Sequence, residues 1–121
     1  MIWKNILLVG FGGGAGSIVR YLVYILVKHK NFPYSTFIVN IIGSFFIGTM
    51  MAYYTKQNVS AEQWKLLIVT GFLGGFTTFS AFSWDTLQLL QQQRYSIALL
   101  YIIATFLLSF IAVFVGYKLF C

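Results

Sequence analysis

The chain has 121 residues, of which 60% are hydrophobic and 20% aromatic, while only 8% are charged. These proportions differ widely from those of a soluble domain and indicate an integral membrane protein. The formal net charge is +6, but the basic residues are spread over short loops and helix ends. Without a basic patch or a groove-reading element, nucleic acid is excluded as a partner and the lipid bilayer explains the charge better.

Four long apolar runs fill almost the whole sequence and predict an all-α membrane protein. They fall at about 5–27, 34–54, 65–90 and 96–120. Each is close to or longer than the ~20 residues that a helix needs to cross a bilayer. We therefore expect one transmembrane domain over residues 1–121, with four transmembrane helices and no soluble domain.

The first span combines closely spaced glycines with an arginine. Gly12 and Gly16 are four residues apart, a spacing that lets membrane helices approach closely. Arg20 lies deep in the same span, where an arginine costs roughly 2.5–3.5 kcal/mol on insertion scales. We expect its side chain to reach the headgroups, an aqueous vestibule or backbone carbonyls, and the sequence leaves all three open.

The second span carries a small polar stripe. Asn40, Ser44 and Gly48 recur at four-residue spacing and therefore share one helix face. Such a stripe fits either a pore wall or a contact with another helix. An interhelical hydrogen bond is the commoner role of a membrane asparagine.

The third span contains the segment GFLGGFTTFSAF, from Gly71 to Phe82. An unpaired backbone group in hydrocarbon costs several kcal/mol, so a helix is interrupted there only where protein, water or an ion satisfies the freed groups. We predict that this third helix is broken in mid-membrane. Phe79 and Phe82 share a face beyond the break; packing is the usual role of such residues, but their electropositive ring edges also suit an anion.

In the fourth span, hydroxyl groups recur at four-residue spacing. Tyr101, Thr105 and Ser109 form a line of donors along one side of the predicted helix. The alternative is that these hydroxyls bond back to the carbonyl four residues earlier, as is common in membrane helices.

Acidic residues are almost absent, which restricts the possible functions. Glu62 lies in a loop and Asp85 near the end of the third span, and the sequence has no other acid. A proton- or cation-coupled transporter generally needs an ionisable group at depth. An enzyme needs a base or nucleophile with a partner. The sequence therefore predicts no enzyme, and its neutral, donor-rich interior suits a small anion.

Basic residues are nearly balanced across the predicted membrane, so the positive-inside rule does not orient the chain. We therefore hypothesise dual topology and an antiparallel dimer. With four spans, the two sides hold Lys4, Lys56, Lys65 and Lys118 against Lys28, Lys30 and Arg94.

Three ordered motifs resemble the CrcB/Fluc family of fluoride channels along essentially the whole chain. They are GGGAGSIVRY at 12–21, FIVNIIGSFFIG at 37–48 and GFLGGFTTFSAF at 71–82. The resemblance implies a passive, fluoride-selective channel that exports fluoride through the cell's inner (plasma) membrane and lowers its cytoplasmic concentration. It also implies an antiparallel, dual-topology homodimer with two pores between the subunits.

The resemblance implies roles for individual pore residues. Asn40 would donate a hydrogen bond to fluoride, and Phe79 and Phe82 would turn their ring edges toward the ion. Ser80 would lie on the adjoining polar track, with Ser109 of the fourth helix in a similar position.

The same resemblance implies two further sites. Arg20 would lie at a vestibule and attract anions. The backbone carbonyls of Gly74 and Thr77 from both subunits would surround one structural Na⁺ on the two-fold axis of the dimer, with no gradient coupling.

One departure from the family pattern leaves an alternative open. Ala81 stands where the family usually has threonine, which removes a hydroxyl beside the pore phenylalanines. The change is compatible with slower permeation or with a heterodimeric channel that needs a paralogous partner. We expect the homodimer, because Asn40 and both phenylalanines remain.

Other functional classes fit the sequence less well. A small multidrug exporter has the same length and helix number but needs a carboxylate in its first helix, where this chain has glycines. A small membrane lipid kinase needs several acidic residues. A structural or regulatory subunit without transport of its own stays open.

Overall fold

The computed structural model of the chain describes residues 2–28, 31–57 and 62–120. Within these ranges all regular structure is helical and no strand occurs. The elements, in chain order, are α1 (Ile2–Leu26), α2 (Tyr34–Gln57), α3 (Glu62–Lys65), a π-helical segment (Leu66–Leu73), α4 (Gly74–Phe76), α5 (Phe79–Gln91) and α6 (Tyr95–Phe120).

These elements form four helical spans that are long and apolar enough to cross a membrane, which confirms the predicted fold class at that level. The spans are Ile2–Leu26, Tyr34–Lys56, Glu62–Gln91 and Tyr95–Phe120. Some helix ends lie up to three residues beyond the predicted apolar runs, because helical hydrogen bonding continues past the residues that define each run by hydropathy.

The helices pack as two pairs. The most extensive contacts are those between α2 and α6. Next come those between α1 and the third span, where α1 packs on the π-helical segment and on α4. In the second pair, a Cβ atom at Gly16 would overlap the carbonyl oxygen of Phe72, and one at Gly12 would overlap that of Leu67. The glycine spacing of the first span thus serves close backbone contact with the third.

The α2–α6 pair uses the same device. A Cβ atom at Gly48 would overlap the carbonyl oxygen of Val113, and one at Gly116 would overlap that of Phe45. Gly48 belongs to the stripe that begins at Asn40, so the far end of that stripe is a helix contact.

The third span is not one continuous α-helix. Gly71, Gly74 and Gly75 all lie in helical segments, whereas Thr77 (φ −83°, ψ 156°) and Thr78 (φ −153°, ψ 122°) are extended. The Thr78 side chain then caps α5, because its Oγ1 accepts a hydrogen bond from the backbone N–H of Ala81 at 3.1 Å. The chain therefore departs from helical geometry at the two threonines and not at the glycines.

A buried cluster joins α5 to α6. Phe82, Leu89, Ala98 and Tyr101 form it, and Tyr101 is fully buried. The phenol of Tyr101 donates a hydrogen bond to Asp85 Oδ2 at 3.1 Å, so the apolar cluster is tied to the single carboxylate of α5.

Candidate functional site

The site is built around a two-point contact between α2 and the extended pair of threonines. Asn40 Nδ2 donates to the Thr78 carbonyl oxygen at 3.0 Å, and the Thr78 backbone N–H donates to Asn40 Oδ1 at 2.8 Å. Because a backbone N–H can only donate, this pair also fixes which end of the amide is oxygen. Asn40 thus makes the interhelical hydrogen bonds that its position in the span suggested.

Beside this contact lies a cavity of about 270 Å³, here called the small cavity. It is enclosed by α2, the two threonines, α5 and α6, and is open on one side in the single chain. Among the described residues, none of those that line it is charged. They are Asn40, Ser44, Ile47, Thr77, Thr78, Phe79, Phe82, Thr105, Phe106, Ser109 and Phe110.

Two hydroxyls in the wall of the small cavity are buried without a hydrogen-bond partner in the described part of the chain, Thr105 Oγ1 and Ser109 Oγ. Back-bonding to the preceding turn is therefore wrong for these two residues, although Thr77 and Thr86 do make such bonds to Leu73 O and Phe82 O. Buried hydroxyls are nearly always satisfied in proteins. Their hydrogens are available to a species that enters the cavity.

Tyr101 is the exception in the predicted line of hydroxyls. Its O–H is already bonded to Asp85, and its ring packs against Phe82 at 5.1 Å and edge-on to Phe32 at 5.4 Å. Tyr101 does not line the small cavity. Tyr101 instead packs against Phe82, which does line the cavity.

The phenylalanines of the small cavity are held by one another. Phe82 is 6% exposed, and its ring centroid lies 5.6 Å from that of Phe79 and 5.7 Å from that of Phe106, the latter edge-to-face at 82°. Phe79 lines the same cavity but is 70% exposed. A ring edge is electropositive, so these side chains offer weak positive potential without charge.

The structure brings most of the predicted pore residues together. Asn40, Phe79, Phe82 and Ser109 all line the small cavity. Ser80 does not; its side chain is exposed and hydrogen-bonded to Thr78 Oγ1 at 3.1 Å.

Sequence reasoning missed two phenylalanines of the cavity wall, Phe106 and Phe110. They are four residues apart and follow Thr105 and Ser109 by one position each. That register was the available signal, but in a helix that is apolar on all sides it is indistinguishable from packing.

A second, larger cavity of about 950 Å³, here called the basic cavity, lies next to the first. Among the described residues, its lining contains three cationic side chains, Arg20, Lys28 and Arg94, and one carboxylate, Asp85. Arg20 Nε donates to the carbonyl oxygen of Gly75 at 3.1 Å. Of the three possibilities for this arginine, the structure thus shows a backbone carbonyl and a position in a cavity wall.

The extended threonines remove the helical partners of several carbonyl groups, among them those of Gly74 and Thr77. In a continuous α-helix the N–H of Thr78 would bond to Gly74 O, and the N–H of Ala81 would bond to Thr77 O. Here these amides donate to Asn40 Oδ1 and to Thr78 Oγ1. Both carbonyls therefore lose their helical donors, and unwound carbonyls of this kind coordinate Na⁺ in membrane proteins.

A cation at this point would depend on backbone oxygens. Among the described residues there is no group of three or more His, Cys, Asp or Glu side chains that could hold a metal ion. The carbonyls of Gly74 and Thr77 are among those that lose their helical donors at the extended threonines, so the donor set present fits a hard cation without a carboxylate.

Four apolar spans, three of which line an uncharged cavity with hydrogen-bond donors, define a small multi-pass membrane protein. The family model described as "CrcB-like protein, Camphor Resistance (CrcB)" matches residues 7–117. The chain belongs to this family, as the three sequence motifs predicted.

Curated relatives carry the name "Fluoride-specific ion channel FluC". The protein of Azobacteroides pseudotrichonymphae is 43% identical over 119 residues, which cover 96% of this chain and 95% of the relative. That of Flavobacterium psychrophilum is 41% identical over 116 residues, covering 93% and 94%. That of Agrobacterium fabrum is 42% identical over 118 residues, covering 95% and 94%. These relatives are named as ion channels, which confirms the prediction that the chain is not an enzyme.

Proposed function

We propose that the chain is a passive, fluoride-selective ion channel whose pore wall is the small cavity. The observation that carries the proposal is the lining itself. Asn40, Thr105 and Ser109 supply hydrogen-bond donors, phenylalanine edges surround them, and no charge is present. Such a wall replaces the hydration shell of an anion with donors, and it favours a small, strong acceptor such as fluoride over chloride. The names of the relatives point to the same ion.

The pore is completed by a second copy of the chain. The small cavity is open in the single chain, and Phe79, which lines it, is 70% exposed. We infer that an antiparallel partner covers this side, with two equivalent pores generated by the two-fold axis. The nearly balanced basic residues support insertion in both orientations. The predicted role of Ser80, which is exposed in one chain, also depends on this partner.

The basic cavity is the proposed entrance. In the described part of its lining, the cations Arg20, Lys28 and Arg94 outnumber the carboxylate of Asp85, so the local field concentrates anions. Thr78 lines both cavities. An anion that enters the basic cavity therefore meets the pore wall at Thr78.

We further propose that the interruption of the third span lies in mid-membrane and faces the two-fold axis. There the carbonyls of Gly74 and Thr77 from both subunits would hold one structural Na⁺, which supplies the positive charge that their lost helical donors no longer provide. The rerouted N–H groups of Thr78 and Ala81 support this assignment. The cation keeps the two subunits together and is not transported.

In the cell, such a channel in the inner (plasma) membrane would lower cytoplasmic fluoride. The test is growth of a bacterial strain that lacks fluoride export. Expression of this chain should restore growth in fluoride, while Phe82→Ile at the same membrane abundance should not. Rescue that appears only when a paralogous chain is co-expressed would indicate the heterodimeric channel and contradict the homodimer. No rescue in either case would contradict the proposal.

A further inference from the structure

We propose that Asn40 keeps the carbonyl site of the third span open, so that one side chain serves both the pore and the Na⁺ site. The inference rests on the proposed function, because it concerns the proposed Na⁺ ligands Gly74 and Thr77. The geometry that carries it is the pair of hydrogen bonds between the Asn40 amide and the backbone of Thr78.

The Thr78 amide is the group for which two acceptors compete. Four residues earlier lies Gly74, the first residue of α4, and its carbonyl oxygen is the acceptor that a continuous helix would use. Asn40 Oδ1 takes this N–H instead, at 2.8 Å. Without that acceptor, the N–H would bond to Gly74 O and the helix would continue through the threonines. The Gly74 carbonyl would then no longer be available to the cation.

The second bond secures the same conformation from the other side. Asn40 Nδ2 donates to the Thr78 carbonyl at 3.0 Å, and Thr78 is thereby held at extended dihedral angles. A carboxamide offers a donor and an acceptor on two separate atoms at the end of one short side chain, as the two bonds to Thr78 require. Leucine offers neither, and an ionised aspartate offers acceptors alone.

The same amide remains a donor for the pore. A carboxamide has two N–H hydrogens, and the bond to Thr78 uses one of them. Asn40 also lines the small cavity. The Asn40 carboxamide, which is the donor to the pore, is therefore positioned by the same interrupted segment that would hold the Na⁺. Occupancy of the Na⁺ site thus affects the geometry of the small cavity.

The experiment measures Na⁺ binding without flux. Thermal unfolding in detergent is measured for the purified full chain and for the variants Asn40→Ala and Ser44→Ala. Each protein is heated in a series of buffers in which NaCl replaces KCl stepwise at constant ionic strength. The dependence of the unfolding midpoint on NaCl concentration gives the Na⁺ requirement. Ser44 is the matched control, since it lines the same cavity one turn further along α2. The wild type and Ser44→Ala should respond at the same Na⁺ concentration, whereas Asn40→Ala should need at least about tenfold more Na⁺.

A second variant separates the two roles and decides the matter if Asn40→Ala does not fold. Asn40→Asp keeps an acceptor for the Thr78 N–H but has no N–H to offer an anion. We expect it to respond at a Na⁺ concentration between those of the wild type and Asn40→Ala, because only the bond from the Thr78 N–H is kept, and to lose fluoride flux in liposomes. Loss of the Na⁺ response in Asn40→Asp would overturn the proposal.

Two further outcomes are decisive. If Asn40→Ala loses flux but responds to Na⁺ as the wild type does, Asn40 acts in the pore alone and this inference is wrong. If the wild type itself does not respond to Na⁺, the proposed Na⁺ site fails and the inference fails with it. The fluoride channel would then still be tested separately by flux.

Discussion

Phe82 has two functions that a substitution separates. It packs against Tyr101 and Phe106 and also lines the small cavity. Isoleucine fills much of the same apolar volume but has no ring edge. We therefore expect Phe82→Ile to remain folded by size-exclusion chromatography while fluoride efflux from liposomes falls to the leak of protein-free vesicles.

Phe45→Ile is the control for this change. Phe45 is a partly buried phenylalanine of α2 that lines neither cavity. It should lose some stability and keep nearly wild-type flux. Unchanged flux in Phe82→Ile would remove that residue from the mechanism.

Thr105 allows a test in which stability and flux move in different directions. Thr105→Val keeps the shape of the side chain but removes a buried hydroxyl that has no hydrogen-bond partner in the described residues. The unfolding midpoint should stay the same or rise, because an unsatisfied polar group is removed. Fluoride efflux should fall by roughly tenfold, the equivalent of one lost hydrogen bond to an anion of about 1.5 kcal/mol.

Thr86→Val is the matched control for Thr105→Val. The Thr86 hydroxyl bonds to Phe82 O at 2.9 Å and lines neither cavity. Its removal should leave flux near the wild-type rate. A midpoint that falls in Thr105→Val would show that the Thr105 hydroxyl is bonded within the protein, contrary to this account.

At the residue scale, the sequence predicted which groups are chemically suited to the site but not how each is used. Depth in the span marked Arg20 as costly and Asn40 as a candidate for an interhelical hydrogen bond, and both make backbone hydrogen bonds to the third span. The choice of Gly75 and Thr78 as their partners depends on how the helices pack, which single-residue chemistry does not contain. The hydroxyls of Thr105 and Ser109, which have no partner within the described ranges, were equally undecided from the sequence, since back-bonding was the commoner alternative.

At the scale of elements, the glycines of α1 give a direct test of helix pairing. A Cβ atom at Gly16 would overlap the backbone oxygen of Phe72, whereas one at Gly14 would meet nothing within 4 Å. Gly16→Ala should therefore destabilise the fold by about 1–3 kcal/mol through overpacking. Gly14→Ala should be neutral or stabilise the helix by up to about 1 kcal/mol.

Thermal unfolding of both variants in the same detergent measures this difference. If Gly16→Ala unfolds at the wild-type temperature, α1 and the third span do not pack as closely as described. A large loss of stability in Gly14→Ala would indicate that its face of α1 is covered by a second copy of the chain.

The four spans could be predicted because hydropathy and length alone define them, whereas the interior of the third span could not. The sequence LLIVTGFL resembles any apolar helix, and its π-helical hydrogen-bond register leaves no trace in composition. The glycines of the third span suggested where the helix weakens, yet they are helical. The extended residues are Thr77 and Thr78, because Asn40 on another helix supplies the competing hydrogen bonds.

At the scale of the whole molecule, the pairing of α1 with the third span and of α2 with α6 leaves the small cavity open along one side. The sequence did not predict this pairing, because spans that are apolar on all sides show no preferred face. What it did predict, from charge balance and motif, is a second copy in the opposite orientation. In the proposed dimer, that second copy covers the open side of the small cavity.

The measurement that tests the account most directly is ion efflux from liposomes that contain only this purified chain. Fluoride efflux is followed with a fluoride electrode, and chloride efflux is measured under the same gradient. A self-sufficient fluoride channel should give rapid efflux of fluoride, little efflux of chloride, and no requirement for any other protein. Folded protein that passes neither ion, or passes both equally, would contradict a self-sufficient fluoride channel built on this cavity.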